Sequence, residues 1–246
     1  MSSRVFIEGC EKKGAYIQVS GEVSRYIKKV LRLNIGDSLI ICTADGTEYR
    51  SVIAGIDKNI SVEVLESEKV DRESNLDIIL CQALPKGKKM DFIIQKGTEL
   101  GVKSFIPLIS SRSVSRPKES EGKTKRWEKI ALEASRQCGR NYIPSIETVT
   151  TIEELIDKFS NSDDNKTLKL IPWESQEDNK LGNFMSTPYD KVIILIGPEG
   201  GFSTLEVNEA RRAGFMSISL GKRILRTETA GIAVVSILQF LWGDMR

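Results

Sequence analysis

The sequence predicts an α/β protein in two parts. A small β-barrel-like domain spans residues 1–70, and an α/β domain with a largely parallel sheet spans residues 74–246. Three observations carry this. The first 70 residues hold short runs rich in β-branched and aromatic side chains, divided by Gly, Asp and Asn turns. After residue 75, strand-like runs alternate with segments of helical period. Those later runs are almost unbroken in apolar residues, as in strands covered on both faces.

In the first part, RVFIEG, AYIQVS, SLIICTADG, TEYRSVIAGI and ISVEVLE read as strands. A helix at residues 22–32 interrupts them. It places Val23, Tyr26, Ile27, Val30 and Leu31 at i, i+3, i+4, i+7 and i+8, one apolar face. The polar stretch at residues 67–75 is the expected linker.

In the second part, LDIILCQAL reads as a strand, KKMDFIIQKGTELGV as a helix and KSFIPLIS as a strand. Residues 123–140 form a helix with Trp127, Ile130, Ala131, Ala134 and Cys138 on its apolar side. A short strand around SIETV, a helix at 151–159, a polar loop at 161–166 and the strand TLKLIPW come next. KVIILIG, a helix at 203–213, the strand SISLG and a final helix from about residue 229 complete the alternation. That last helix, AGIAVVSILQFLW, is apolar nearly all round. It is expected to be buried from several sides, within the fold or against a second subunit.

The chain has 246 residues, of which 40% are hydrophobic and 28% charged, a globular composition. It contains no histidine. That excludes Ser-His-Asp and Cys-His nucleophiles, HExxH metal sites and Cys/His zinc fingers. Cys10, Cys42, Cys81 and Cys138 form no CxxC pair, so no metal site is expected. They read as buried thiols of a reducing compartment. The N-terminus lacks the apolar core of a signal peptide, and no run approaches the ~20 apolar residues of a membrane span. A cytoplasmic protein without membrane contact is expected.

The net charge of +2 is unevenly spread. Residues 73–142 carry 14 basic and 8 acidic side chains, a net +6, between a neutral first part and an acidic last part. Arg25, Lys28, Lys29 and Arg32 lie opposite the apolar face of the 22–32 helix. Lys125, Lys129, Arg136 and Arg140 do the same on the 123–140 helix. Two basic faces on amphipathic helices point to phosphate contacts.

The sharpest local signal is KVIILIGPEGG, a buried strand running into Gly197-Pro198-Glu199-Gly200-Gly201 ahead of a helix. Open α/β sheets bind ligands at the carboxyl ends of their strands, and glycines let backbone approach a ligand closely. There is no GxGxxG, which disfavours a dinucleotide site. The second signal is ISLGKRILRTETAGI, a strand followed by a basic turn. There Thr227 or Thr229 can cap the last helix, and Glu228 suits its dipole.

Taken in order, these motifs resemble the SPOUT class of RNA methyltransferases, and within it the RsmE family of ribosomal RNA uridine-N3 methyltransferases. RVFI, VLRLNIGD, KGKKMDFIIQKGTELGV and EASRQCGRNYIP also match, so the resemblance spans nearly the whole chain. One departure is visible: members often carry a histidine just before the VLR segment, where this chain reads SGEVSRYIKKVLR. The resemblance implies a PUA-like β-barrel that binds RNA, and a SPOUT domain with a deep trefoil knot. It further implies S-adenosyl-L-methionine as cofactor, a homodimer, and ribosomal RNA or the small ribosomal subunit as partner. The implied cofactor loops are Leu170, Ile171, Pro172 and Trp173; Ile196, Gly197, Pro198, Glu199, Gly200 and Gly201; and Leu220, Gly221, Ile224, Leu225 and Arg226.

Methyl transfer from a sulfonium needs alignment rather than a metal or a covalent intermediate. Loss of the uridine N3 proton needs a carboxylate base, or an arginine that stabilises the anion. Glu228 and Arg226 are the candidates. The target base must be unpaired or flipped, since N3 lies on its Watson–Crick edge. Arg136 and Arg140 are candidates for positioning RNA, with Arg25, Lys28, Lys29 and Arg32 reaching more distant phosphates. Rival readings are another SPOUT enzyme, acting on ribose or a transfer-RNA base, and a non-catalytic RNA-binding protein.

Overall fold

The computed structural model describes residues 3–7, 12–113, 121–160, 165–174, 179, 181–184 and 187–246. Cys10 and residues 161–164 of the expected polar loop lie outside these. The chain divides into two compact units. One holds Met1–Glu73 with Ser135–Tyr142, and the other Ser74–Ala134 with Ile143–Arg246.

The first unit contains β1 (Ser3–Ile7), β2 (Lys12–Lys13), β3 (Tyr16–Val19), α1 (Gly21–Tyr26), β4 (Ser38–Thr43), β5 (Thr47–Ile56) and β6 (Ile60–Lys69). Its sheet runs β1-β4-β5-β6-β3-β2. β1 is parallel to β4 and the other pairs are antiparallel. Register shifts between β5 and β6, at Arg50/Ser51 and Ile53/Gly55, curl the sheet. The curl encloses Val5, Ile17, Val19, Ile27, Leu39, Ile41, Ile53, Ile60 and Val62, all buried. β6 reaches Lys69, which pairs with Thr47, so the polar stretch expected as a linker begins inside a strand.

The helix expected at residues 22–32 changes type part-way. After α1, residues Ile27–Leu31 form a π-helical turn that closes on Arg32, whose φ is +53°. The Arg32 N–H donates to the Ile27 carbonyl, and the Leu33 N–H reaches the same oxygen at 3.3 Å. The wider i→i+5 turn shifts the helical phase of its residues. Val30 therefore leaves the apolar face and is 63% exposed, against the expectation. Lys28 also departs from a purely solvated face, donating to the carbonyls of Asp57 and Lys58.

A buried ion cluster ties this unit together. Glu48 on β5 is 3% exposed and accepts from Arg4 on β1 at 2.8 and 3.1 Å. It also accepts from Arg72 and, at 3.0 Å, from Asn141 Nδ2. Arg4 and Arg72 both donate to the Gly139 carbonyl. Arg140 corrects the expectation of a helix-borne basic face. Its helix ends at Cys138, and Gly139 (φ +84°) turns the chain out of helical phase. The Arg140 side chain is consequently buried, paired with Glu73 at 2.6 Å. Arg136 lies 4.3 Å from the centre of the Tyr26 ring. Cys42 is buried, and burial pushes its thiol up to about 11.

The second unit contains β7 (Asp77–Ala83), α2 (Lys89–Glu99), β8 (Val102–Ile109), most of α3 (Glu121–Cys138), β9 (Ser145–Ile146), β10 (Thr150–Thr151) and α4 (Ile152–Ser160). It continues with β11 (Thr167–Pro172), β12 (Lys191–Ile196), α5 (Thr204–Arg212), β13 (Met216–Ile218) and α6 (Thr227–Trp242). The strand order is β10-β8-β7-β12-β11-β13, with β9 also on β8, and every pair is parallel. α2 and α6 cover one face of this sheet, where Leu80, Ile93, Phe105, Ile194 and Val235 share a core. α4 and α5 cover the other, around Cys81, Ile106, Leu155, Leu195 and Phe215. Gly97 lets α2 approach β8: a Cβ there would lie 2.7 Å from the Phe105 ring. In α6, Val234, Val235 and Leu238 are fully buried, while Ile237 and Phe240 are 40% and 59% exposed. No helix among the described residues is long and apolar enough to cross a membrane.

Candidate active site

Parallel strands end at one edge of a sheet, so the segments leaving β11, β12 and β13 meet there. They enclose a cavity of about 280 Å³, lined among others by Trp173, Gly197, Glu199, Leu225 and Arg226. A second cavity of about 120 Å³ shares Pro172, Trp173, Glu174, Ile224, Leu225 and Ala230 with it, and continues to Leu220 and Gly221. Together they reach the size range of small-molecule sites, about 300–1,000 Å³.

The turn after β12 has reasons for its glycines. A Cβ on Gly197 would stand 3.2 Å from the Phe202 ring and backbone nitrogen. Gly201 has φ +67°, and a Cβ there would stand 3.3 Å from a Glu174 carboxylate oxygen. Either side chain would crowd the cavity wall. Downstream, Ser203 caps α5 in a reciprocal capping box with Glu206, which also accepts the Ser111 N–H at 2.7 Å. Burial alone would push the Glu206 carboxyl up, but these backbone donors hold it below the ordinary range.

Thr227 behaves differently from the expected cap. α6 begins at Thr227 itself, after Arg226 as N-cap, and no side chain caps it. The Thr227 hydroxyl instead donates to the Gly197 carbonyl at 2.5 Å and accepts from Gln82 Nε2 at 2.9 Å. One buried hydroxyl thus joins the end of β7, the glycine turn and the start of α6.

Glu199 and Glu228 meet through Lys89, a residue the sequence motifs did not single out. Lys89 Nζ donates to Glu199 Oε1 at 2.8 Å and stands 3.5 Å from Glu228 Oε2. Glu199 Oε1 also accepts the Lys86 N–H at 3.0 Å. The Glu199 hydrogen bond, with the charges of both carboxylates, raises the Lys89 ammonium above its ordinary value against a small desolvation. Burial would push Glu199 up, but Lys89 and the backbone donors hold it below the ordinary carboxylate range.

Of the residues named as cofactor loops, Pro172, Ile196, Gly197, Pro198, Glu199, Gly201, Leu220, Gly221, Ile224, Leu225 and Arg226 line the two cavities. Leu170 and Ile171 sit within β11 and pack into the two cores. The Gly200 carbonyl accepts from Arg112 at 2.9 Å. Lys89, Glu174, Phe202 and Thr227 join the lining from outside those residues. Trp173 is steadied by Arg211, whose guanidinium carbon is 5.2 Å from the ring centre and whose Nε and Nη2 donate to Ser217 Oγ. Arg25, Lys29, Arg32, Lys125 and Lys129 are exposed.

The fold is that of an RNA methyltransferase. The model of the RNA methyltransferase domain matches residues 72–239, and that of the RNA methyltransferase PUA domain matches residues 19–65. A ribosomal RNA small subunit methyltransferase E from Bacillus subtilis (strain 168) is 34% identical over 230 residues, covering 90% of this chain and 89% of that protein. A ribosomal RNA small subunit methyltransferase E from Neisseria gonorrhoeae, solved bound to S-adenosyl methionine, superposes with a TM-score of 0.88 at 30% identity, covering all of both chains. A methyltransferase from Legionella pneumophila, solved with the bound cofactor SAM, gives 0.88 at 33% identity, again over 100% of each. The chain belongs to the ribosomal RNA small subunit methyltransferase E family.

Proposed function

We propose that this protein transfers a methyl group from S-adenosylmethionine to N3 of a uridine in small-subunit (16S) ribosomal RNA. The carrying observation is the cavity at the carboxyl ends of β11, β12 and β13 in a chain of this family. The residues present suit the cofactor. Trp173, Ile196, Phe202 and Leu225 offer apolar walls for a nucleoside, the glycine turns offer close backbone, and carboxylates stand near for a cation. When bound, the sulfonium supplies an electrophilic methyl carbon. Arg226, at the mouth of α6, lines the cavity and faces whatever enters it. The chain has no histidine, so carboxylate and cationic side chains handle the uridine proton.

Residues 1–70 serve in this proposal as a PUA-like RNA-binding domain and residues 74–246 as the SPOUT domain. Arg25, Lys29, Arg32, Lys125 and Lys129, exposed on their helical segments, contact phosphates. A trefoil knot is supported by the path of the chain. α6 returns from edge strand β13 to pack on β7 and β12, while Ser219 N–H donates to the Asn179 carbonyl at 2.7 Å. The segment after β13 therefore runs against the one after β11. The protein acts as a cytoplasmic homodimer, with the exposed Ile237 and Phe240 of α6 as part of the dimer face.

Purified protein, labelled S-adenosylmethionine and small-subunit RNA yield 3-methyluridine on nucleoside mass analysis. A label on a ribose hydroxyl would overturn the base assignment, and failure to bind the cofactor by calorimetry would leave an RNA-binding module. For the dimer, Ile237→Asp with Phe240→Asp yields monomer in sedimentation at micromolar concentration. A sedimentation profile matching the wild-type dimer would remove this face from the interface.

A further inference from the structure

We infer that Glu174 is the residue by which the site tells S-adenosylmethionine from its spent product, its carboxylate pairing with the positive charge that the cofactor carries at sulfur and the product lacks. This rests on the cofactor site proposed above, and not on which RNA atom is methylated. Six described residues line both cavities: Pro172, Trp173, Glu174, Ile224, Leu225 and Ala230. Glu174 is the one ionisable side chain among the six. The larger cavity adds a second carboxylate, Glu199, and the two are not equivalent. Glu199 is engaged by Lys89 at 2.8 Å and by the Lys86 N–H at 3.0 Å. Among the described residues, no hydrogen bond or ion pair engages the Glu174 carboxylate.

Its surroundings hold it at this place. The Trp173 N–H donates to the Ile218 carbonyl at 3.0 Å, which ties the end of β11 to β13. Gly201, on the wall of the larger cavity, leaves space for the carboxylate: a Cβ there would stand 3.3 and 3.4 Å from its two oxygens. The build of the cofactor decides which of its atoms come here. Adenosine lies at one end and a methionine chain at the other, and the sulfonium joins them. A molecule laid through both cavities passes the residues they share, whichever cavity takes the adenosine. Glu174 therefore meets its middle, where the charge is that of the sulfonium. S-adenosylhomocysteine has the same two ends and a neutral thioether between them. A ligand that covers a carboxylate strips water from it; a cation offsets that cost and a thioether does not. Glu174 accordingly favours the loaded cofactor over the spent one.

Calorimetry with three ligands tests this: S-adenosylmethionine, S-adenosylhomocysteine, and sinefungin, in which an ammonium-bearing carbon stands in place of the sulfonium. Glu174→Gln keeps the size of the side chain and removes its charge. It binds S-adenosylmethionine and sinefungin about tenfold more weakly than wild type, equivalent to about 1.4 kcal/mol, and S-adenosylhomocysteine within about twofold. Glu174→Asp recovers part of the loss. Glu153→Gln, exposed on α4, matches wild type with all three ligands. Added salt weakens S-adenosylmethionine binding more in wild type than in Glu174→Gln. Circular dichroism verifies the fold of each variant. Equal losses of all three ligands would place Glu174 on a part they share, such as the ribose, and overturn the assignment. An unchanged S-adenosylmethionine affinity, or a loss that spares sinefungin, would overturn it too. Wild-type protein that binds none of the three overturns the cofactor site itself, and the Glu174 assignment with it.

Discussion

Glu48→Ala lowers the stability of the first unit by about 3 kcal/mol, read as lost hydrogen-exchange protection in β1, β4 and β5 of the full-length chain. Glu48 pairs with two guanidiniums, Arg4 and Arg72, that both also donate to the Gly139 carbonyl. Removing it leaves two cations side by side, one of them, Arg4, only 12% exposed. Breaking a buried pair from one side typically costs about 3–5 kcal/mol. The low end applies because Arg4 keeps Asn141 Oδ1 at 2.7 Å. The control is Glu66→Ala: Glu66 pairs with Arg50 where both are more than half exposed, and the loss stays under about 1 kcal/mol. Equal effects of the two substitutions would show that the cluster is not a stabilising clamp.

Acid reports the same cluster. Burial alone would push the Glu48 carboxyl up, but hydrogen bonds from Arg4, Arg72 and Asn141, and the Arg4 charge, hold it down at about 2 from an ordinary 4.5. A carboxyl depressed by folding stabilises the native state above its unfolded value and ceases to do so as pH falls through its folded one. The Glu48 contribution is therefore complete above pH 4.5 and drains away down to about pH 2. Glu48→Gln flattens that part of the acid profile. A Glu48→Gln profile as steep as wild type between those limits would assign the acid sensitivity to other carboxylates.

Which of these features the sequence discloses depends on how far apart the partners lie in the chain. Strands such as Lys191–Ile196 and helices such as Ile152–Ser160 are written in their local apolar pattern. Strand β10, two residues long, is too short to carry a pattern at all. The π-helical turn escapes a 3.6-residue template because nothing in IKKVL distinguishes i→i+5 from i→i+4 bonding, and Val30 is misplaced with it. The burial of Arg140 is partly legible: Gly139 is a helix-stop signal, and an arginine beyond the stop has no reason to share the helix face. The glycine turns around 197–201 and 220–221, which both line a cavity, stand out by local chemistry. Lys89 does not, because it joins Glu199 only through the pairing of β7 with β12, across a separation of 110 residues.

Thr227→Val weakens the binding of S-adenosylmethionine, the cofactor of the proposed function, by ten- to a hundredfold while leaving the chain folded. Valine keeps the shape and removes the hydroxyl. Thr227 is 5% exposed, so no solvent replaces what is lost. Gln82 Nε2 retains the Ala83 carbonyl at 3.0 Å and loses only its second acceptor. The Gly197 carbonyl fares worse, because the 2.5 Å hydroxyl bond is what fixes it against α6. A buried polar group left without its partner costs about 1–3 kcal/mol, and about 1.4 kcal/mol is tenfold in affinity. The effect falls on ligand binding more than on folding. Ile196 is secured within β12 by pairing with Gln82 of β7, whereas Gly197 has left the sheet; bonds to Lys86, Lys89 and Arg112 hold the turn at Glu199 and Gly200, and the Thr227 hydroxyl holds it at the Gly197 carbonyl. Calorimetry with S-adenosylmethionine measures the loss, and circular dichroism verifies the fold. Thr227→Ser restores binding to near wild type, because its hydroxyl occupies the same place. If serine fails as badly as valine, the methyl group rather than the hydroxyl positions the turn, and the hydrogen-bonded bridge from β7 to α6 is not what shapes the cavity.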